Sequence, residues 1–372
     1  MERRGENGEP AAPGGRLAFL GLDPVRLSLV VAGLLLLQPT KPTAAALAVG
    51  IAIVAALIAS TRWDLSGVVA TGLLVGGLLL RLGVVDRIGS DVLAVTASAI
   101  EHALGGGNPY GIGYASSNPP GAPFPYGPLV LAWYLPVLDT PRVLELLAAA
   151  FVAAFLALQG RLVGLAVYAT APVLVATTVD GSNDTSLGLI LLVAFAVASR
   201  RPILGAVILG AAGAFKLSAV AWAPAFVVWA GWQAGAALAT IFAVAWLPAL
   251  LAWGPSNVAW SVQTANAMHG EVTWSLGWLV QAVVGAAPGW LNSFKFALGA
   301  AATLLTAPFV RSLDAVILTG SLVYVVTLFS GTWATYAYFA ALAPLLCWRL
   351  DDWLGLSPGE TWAARPPARA LG

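Results

Sequence analysis

Four short stretches of this chain place ionisable side chains in otherwise apolar surroundings. The first, DRIGSDVLAVTASAIEHALGGGNPYGIGYASSNPPGAPFPYGP, opens on Asp86 and Asp91, carries Glu101 and His102, and then turns Gly- and Pro-rich around Asn108, Tyr110 and Tyr126. The second, DGSND, sets Asp180 and Asp184 around Asn183. The third, GAAGAFKLSAVAW, holds Lys216, the only lysine between Lys41 and Lys295. The fourth, NVAWSVQTANAMHGEVTW, has His269 and Glu271 as its titratable groups. A carboxylate can take the proton of a hydroxyl as that hydroxyl attacks. An ammonium in an apolar surround is a functional candidate, with a snorkelling side chain as the plain alternative. Asp184 is equally an N-cap for the apolar run Leu187–Ala198 or a site group; Asp180 reads as a cap or a solvated turn, and His269 with Glu271 as a solvated pair or an acceptor-holding pair. Arg142 and Glu145, three apart, read as a structural pair on one helix face. Trp260, Trp274, Trp278, Tyr336 and Tyr338 suit stacking on a ligand or an interfacial belt.

The elements that must position these groups are helices in lipid. The chain is 59% hydrophobic and 9% charged, with mean hydropathy +0.85. A soluble domain averages about 25% charged residues, so the solvent for this much apolar surface is a bilayer. The apolar runs are continuous rather than alternating, which selects helices over a barrel. The expected fold is therefore all-α, a polytopic integral membrane protein of about twelve transmembrane helices plus juxtamembrane helices. The runs are Leu27–Leu37, Thr43–Ser60, Leu65–Val85, Val143–Leu158, Leu162–Val179, Leu187–Ala198, Ile203–Phe215, Leu217–Ala230, Ala234–Trp253, Phe294–Val310, Leu313–Phe329 and Thr335–Trp348. Leu129–Leu138 and Leu279–Ala287 are short and flanked by Pro, and read as juxtamembrane or re-entrant.

The positive-inside rule orients this array. With the N-terminus inside, Arg62, Arg161, Arg200, Arg201, Arg311 and Arg349 all fall on the cytoplasmic side, and Arg87 and Arg142 are the exceptions. The expected organisation is a cytoplasmic tail over residues 1–26, a membrane domain over 27–350 with extracytoplasmic loops 86–138 and 254–293, and a cytoplasmic tail over 351–372. The polar stretches then converge on the extracytoplasmic face of the plasma membrane. A net charge of +1 gives no electrostatic case for nucleic acid. A single cysteine, Cys347, excludes an intrachain disulfide and a Cys-rich metal site.

An Asp after an outward-running helix, then GGGNPY, then FPYGPL, DGSND opening a span, AAGAFKLSAVAWAP and WATYAYFAALAPLL follow in order from Asp86 to Leu346. In this order and spacing they resemble the GT-C membrane glycosyltransferases, and among them most nearly the polyprenol-phosphate-mannose-dependent mannosyltransferases of glycosyltransferase family 87. The resemblance implies transfer of a sugar, mannose foremost, from a polyprenyl-phosphate donor to a glycan or glycolipid hydroxyl, with inversion. It implies Asp91 as general base, with Asp86 as fallback, and Asn108, Tyr110 and Tyr126 on the donor. The leaving phosphate needs a cation or donors, a role that falls to Lys216 as a compact charge. Asp184, Asn183, His269 and Glu271 are then sugar- or acceptor-binding groups. No cofactor is required; Asp184 facing Asp91 would also suit an oxygen-ligated Mg²⁺ or Ca²⁺. The alternative readings are a transporter or lipid-linked-sugar flippase, and a non-catalytic partner in an envelope assembly.

Overall fold

The computed structural model describes residues 43–61, 63–86, 89–268 and 275–356. The expected 1–26 tail, the Leu27–Leu37 span, His269, Glu271, Trp274 and the chain beyond 356 lie outside the described residues. The rest is almost entirely helical: α1 Thr43–Thr61, α2 Trp63–Leu82, α3 Val92–Leu104, α4 Pro128–Tyr134, α5 Arg142–Leu158, α6 Leu162–Thr170, α7 Pro172–Thr177, α8 Asp184–Ala198 and α9 Pro202–Phe215. A 3₁₀ turn, Leu217–Trp222, leads to α10 Ala223–Ala230, α11 Trp232–Trp253, α12 Pro255–Met268, α13 Leu276–Val284, α14 Leu291–Thr306, α15 Leu313–Phe329 and α16 Ala337–Trp353. A two-stranded ribbon, β1 Gly113–Tyr114 against β2 Ala122–Pro123, folds the first long loop.

Among the described residues, two helices are long and apolar enough to cross a bilayer: the Leu65–Leu82 part of α2, with mean hydropathy 1.9, and α11, with 2.0. A third candidate is α4 with its 3₁₀ extension followed by α5, bent by 99° at the break. Leu129–Leu138 is thus one arm of a bent pair, either a broken span or a re-entrant segment. The second outer segment, read from sequence as a loop, contains the 14-residue helix α12.

The core is built on α8, which packs against α9, α16 and α5. Small residues let these backbones approach. A Cβ at Gly188 would meet the Ala340 carbonyl oxygen at 2.6 Å, and one at Gly210 the Leu238 oxygen at 2.5 Å. Large apolar side chains such as Leu251, Leu304, Leu305 and Val283 are exposed around the outside, the pattern of a bundle whose solvent is not water.

The apolar run Leu162–Val179 was expected as one helix, and it is broken at Ala171 into α6 and α7. Pro172 has no N–H, so the Tyr168 carbonyl loses its helical partner. Arg81 supplies the missing donor. Its Nη2 donates to Tyr168 O at 2.7 Å, Nη1 to Gly77 O at 3.0 Å and Ala169 O at 3.3 Å, and Nε to Thr178 Oγ1 at 2.8 Å. Arg81 is 1% exposed. The sequence reading passed over it; the available signal was a lone arginine inside an apolar run.

Charges sort to the two ends of the bundle. At one end Arg161 pairs with Asp352, Arg349 pairs with Asp314 and Asp352, and Asp351 accepts the Val163 and Gly164 N–H groups at 3.1 and 2.8 Å. At the other end lie Asp91, the 180–184 turn and Lys216. Of the arginines assigned to one face from sequence, Arg161 and Arg349 share one acidic cluster through Asp352.

Candidate functional site

Each site group is held by a specific piece of backbone. The segment leading into α3 is strapped to the 180–181 turn: Gly89 and Ser90 N–H donate to Asp180 O at 2.9 and 3.0 Å, and Leu93 N–H to Gly181 O at 2.9 Å. Gly181 sits at φ +101°, and a Cβ there would crowd the Ser90 carbonyl oxygen at 2.5 Å. Only glycine takes that backbone shape without strain. The strap fixes Asp91 at the N-cap position of α3, where its side chain makes no cap bond. Its Oδ2 instead accepts the Asn118 N–H at 2.6 Å. Asp91 is half-buried, and its Oδ1 has no partner among the described residues. One oxygen is anchored and the other is open, the geometry a carboxylate base requires.

Gly127 brings the loop onto the end of α9. Its N–H donates to Phe215 O at 3.0 Å, and a Cβ at this position would overlap the Ala214 carbonyl oxygen. The neighbouring Tyr126 ring is thereby laid 5.4 Å from Lys216 Nζ. Gly127→Ala is expected to cost about 1–3 kcal/mol through overpacking against backbone, measured as a lower unfolding temperature in detergent. An unchanged transition would mean that the loop is not seated on α9.

Lys216 leaves α9 in extended conformation and turns its ammonium to the start of α8. Nζ donates to Asp184 Oδ1 at 2.7 Å and Asn183 Oδ1 at 3.0 Å, and lies 5.7 Å from the Tyr338 ring. Asp184 is the first residue of α8 and is 2% exposed; Asn183 holds the N-cap position without a side-chain cap bond. The cap reading of Asp184 is therefore corrected: its carboxylate is committed to Lys216. Lys216 in turn carries a compensated charge rather than a free one. Tyr126 is raised well above the usual phenol pKa, chiefly by burial, with the Asp184, Tyr338 and Asp91 groups adding to it. Tyr126, Asp184 and Tyr338 are thus grouped about the Lys216 ammonium.

Asn108 and Tyr110 hold the loop. Asn108 Nδ2 donates to Trp253 O and its Oδ1 accepts the Tyr110 N–H, both at 2.9 Å; the Tyr110 hydroxyl donates to Tyr126 O at 2.9 Å. With these polar atoms engaged, they position Tyr126 and leave little for a donor. Asp86 is exposed at the end of α2, Glu101 and His102 are exposed on α3, and Trp260 and Trp278 are exposed as a belt residue would be.

Two groups were under-read from sequence. Glu145 does not pair with Arg142. It is fully buried, accepts Ser186 N–H at 3.0 Å, and is hydrogen-bonded by the Tyr134 and Ser186 hydroxyls, while Arg142 donates to Val85 O. Tertiary packing of α5 on α8 decides this. Asp180 is the second. It closes an Asx turn by accepting Ser182 N–H at 2.8 Å and lines a cleft of about 260 Å³ with Val84, Gly89, Ala176, Thr177, Thr335 and Tyr336.

Burial pushes the Asp180 carboxyl up to about 6, opposed by the Ser182 hydrogen bonds. The folded state therefore holds this proton more tightly than the unfolded chain does. That stabilisation is complete below the ordinary aspartate value and is lost as pH rises through about 6. Asp180→Asn is expected to gain up to about 2 kcal/mol on the wild type between pH 4 and 7, read from paired thermal melts. A pH-independent difference would count against a buried carboxyl.

Among the described residues, no three His, Cys, Asp or Glu side chains converge on a point that a metal could occupy. Asp184 Oδ1 is engaged by Lys216. No protein-family model, curated protein or solved structure matches this chain.

Proposed function

We propose that this chain is a GT-C-type membrane glycosyltransferase with about twelve crossings and both termini cytoplasmic. It transfers a sugar, mannose foremost, from a polyprenyl phosphate to a glycan or glycolipid hydroxyl at the extracytoplasmic face. The observation that carries this reading is Asp91: a half-buried carboxylate with one oxygen on the Asn118 amide and the other without a partner among the described residues, at the end of the bundle opposite the Arg161 and Arg349 pairs. Asp91 Oδ1 takes the acceptor proton as the acceptor oxygen attacks the anomeric carbon. The bond from that carbon to the phosphate oxygen breaks, and the lipid phosphate leaves with the electron pair. One displacement inverts the centre.

In this reading Tyr126 and Tyr338, whose rings lie 5.4 and 5.7 Å from the Lys216 ammonium, form the floor of the site. The Lys216–Asp184 pair keeps that floor rigid and neutral, and one ammonium proton remains for a ligand oxygen. The test is transfer of radiolabelled mannose from mannosyl polyprenyl phosphate to glycolipid acceptors by the purified chain in liposomes. Product formation supports the reading. Its absence with mannosyl, glucosyl and arabinosyl donors alike removes it.

A further inference from the structure

Among the described residues, the buried cations differ in what compensates them. Arg161 and Arg349 pair with carboxylates, Lys216 pairs with Asp184, and Arg81 is surrounded by carbonyls. Lys295, in α14, is 7% exposed, and among the described residues no carboxylate lies within 4 Å of it. Its Nζ donates to Asn266 Oδ1 at 2.5 Å and lies 5.3 Å from the Phe296 ring. Two of its three donors remain. A sequestered ammonium without a counter-charge is costly unless something supplies the anion.

The surroundings form a seat. Asn292, one turn earlier on α14, accepts the Thr332 N–H at 3.1 Å and the Thr332 hydroxyl at 2.9 Å, and Gly277 N–H donates to Gly331 O at 2.9 Å. These bonds lay the 330–332 turn over Lys295. A Cβ at Gly331 would come to 3.1 Å from Lys295 Cδ, 3.0 Å from Asn292 Oδ1 and 3.7 Å from Nζ. Position along the bundle is also defined. The far end of α14 leads to Ser312–Asp314, where Asp314 meets Arg349, so Lys295 lies toward the end that carries Asp91. Trp290, Phe294 and Phe296 stand exposed beside it. An anion seat bordered by bare aromatic rings fits a ligand with a charged head and an apolar tail.

We propose that Lys295 is the cation of a binding site for the phosphate headgroup of a lipid. That the lipid is the sugar donor or its spent polyprenyl phosphate rests on the transferase reading; the anion site does not. The test is binding of polyprenyl phosphate to the full chain in detergent, followed by thermophoresis, with uncharged polyprenol, phosphatidylglycerol and inorganic phosphate as the other probes.

Polyprenyl phosphate should bind wild type, bind Lys295→Gln about tenfold or more weakly, and recover with Lys295→Arg. Since the ammonium has no carboxylate partner among the described residues, Lys295→Gln should melt no lower than wild type. If it does misfold, Lys295→Arg and the uncharged polyprenol still decide the matter, because equal binding of polyprenol and its phosphate overturns the site. Undiminished binding by a folded Lys295→Gln overturns it too. Phosphatidylglycerol binding that is lost in the same variant supports the site and assigns it to bilayer phospholipid. Binding of inorganic phosphate alone overturns the lipid assignment. Phosphate-dependent binding by a wild type that transfers no sugar would sink the transferase and keep the site; normal transfer and binding by Lys295→Gln would do the reverse.

Discussion

Asp91→Asn should reduce sugar transfer by about 10²–10⁴-fold, the usual contribution of a positioned general base. The substitution keeps the side chain's size and keeps an oxygen to accept the Asn118 amide, now at 2.6 Å. It removes only the ability to take a proton. Protein yield, elution volume and melting temperature should therefore match wild type, which separates chemistry from folding. The fall should appear in kcat with KM little changed, because the proton is taken in the transition state and not on binding. Asp86→Asn is the control, since Asp86 is exposed at the end of α2. A comparable loss there, or residual activity in Asp91→Asn above a tenth of wild type, would take Asp91 out of the reaction.

Arg81→Met should destabilise the fold by about 1–3 kcal/mol for the Tyr168 carbonyl left without a donor, and by more for the other hydrogen bonds lost. Methionine fills much of the volume but donates nothing. The Tyr168 carbonyl then has no partner, because Pro172 cannot provide one, and the Thr178 hydroxyl loses Nε. A double-mutant cycle makes the claim specific. Pro172→Ala restores an N–H to the broken turn, so it should recover part of the loss in Arg81→Met, on the order of 1 kcal/mol for one buried hydrogen bond. Additive effects of the two substitutions would show that Arg81 stabilises the bundle by some route other than the break at Ala171.

Much of the architecture could be read from local order. Asp91 followed by a 13-residue amphipathic stretch and Gly105 becomes α3 with Asp91 at its start, because cap position and glycine stop are short-range effects. The Pro-flanked Leu129–Leu138 run becomes a short helix and a sharp bend for the same reason. Pairings of distant residues were a different matter. Three-residue spacing suggested that Arg142 meets Glu145, but packing of α5 against α8 buries Glu145 against Ser186 and leaves Arg142 on Val85. Lys216 looked like an unpaired cation because its partner, Asp184, lies on another helix.

The sequence by itself determined that the chain is helical, that its solvent is apolar, and that its arginines and its DGSND and FPYGP motifs fall in separate segments. These follow from composition and from interactions within one or two turns. Only the tertiary structure decided which charges are spent and which are open. Lys216 is compensated by Asp184, Arg81 is consumed by a broken helix, and Asp91 and Lys295 keep unused capacity. The reason is physical: in a low-dielectric bundle the state of an ionisable group is set by what faces it across a helix interface, and the residues that face one another there are dozens to hundreds of positions apart in the chain.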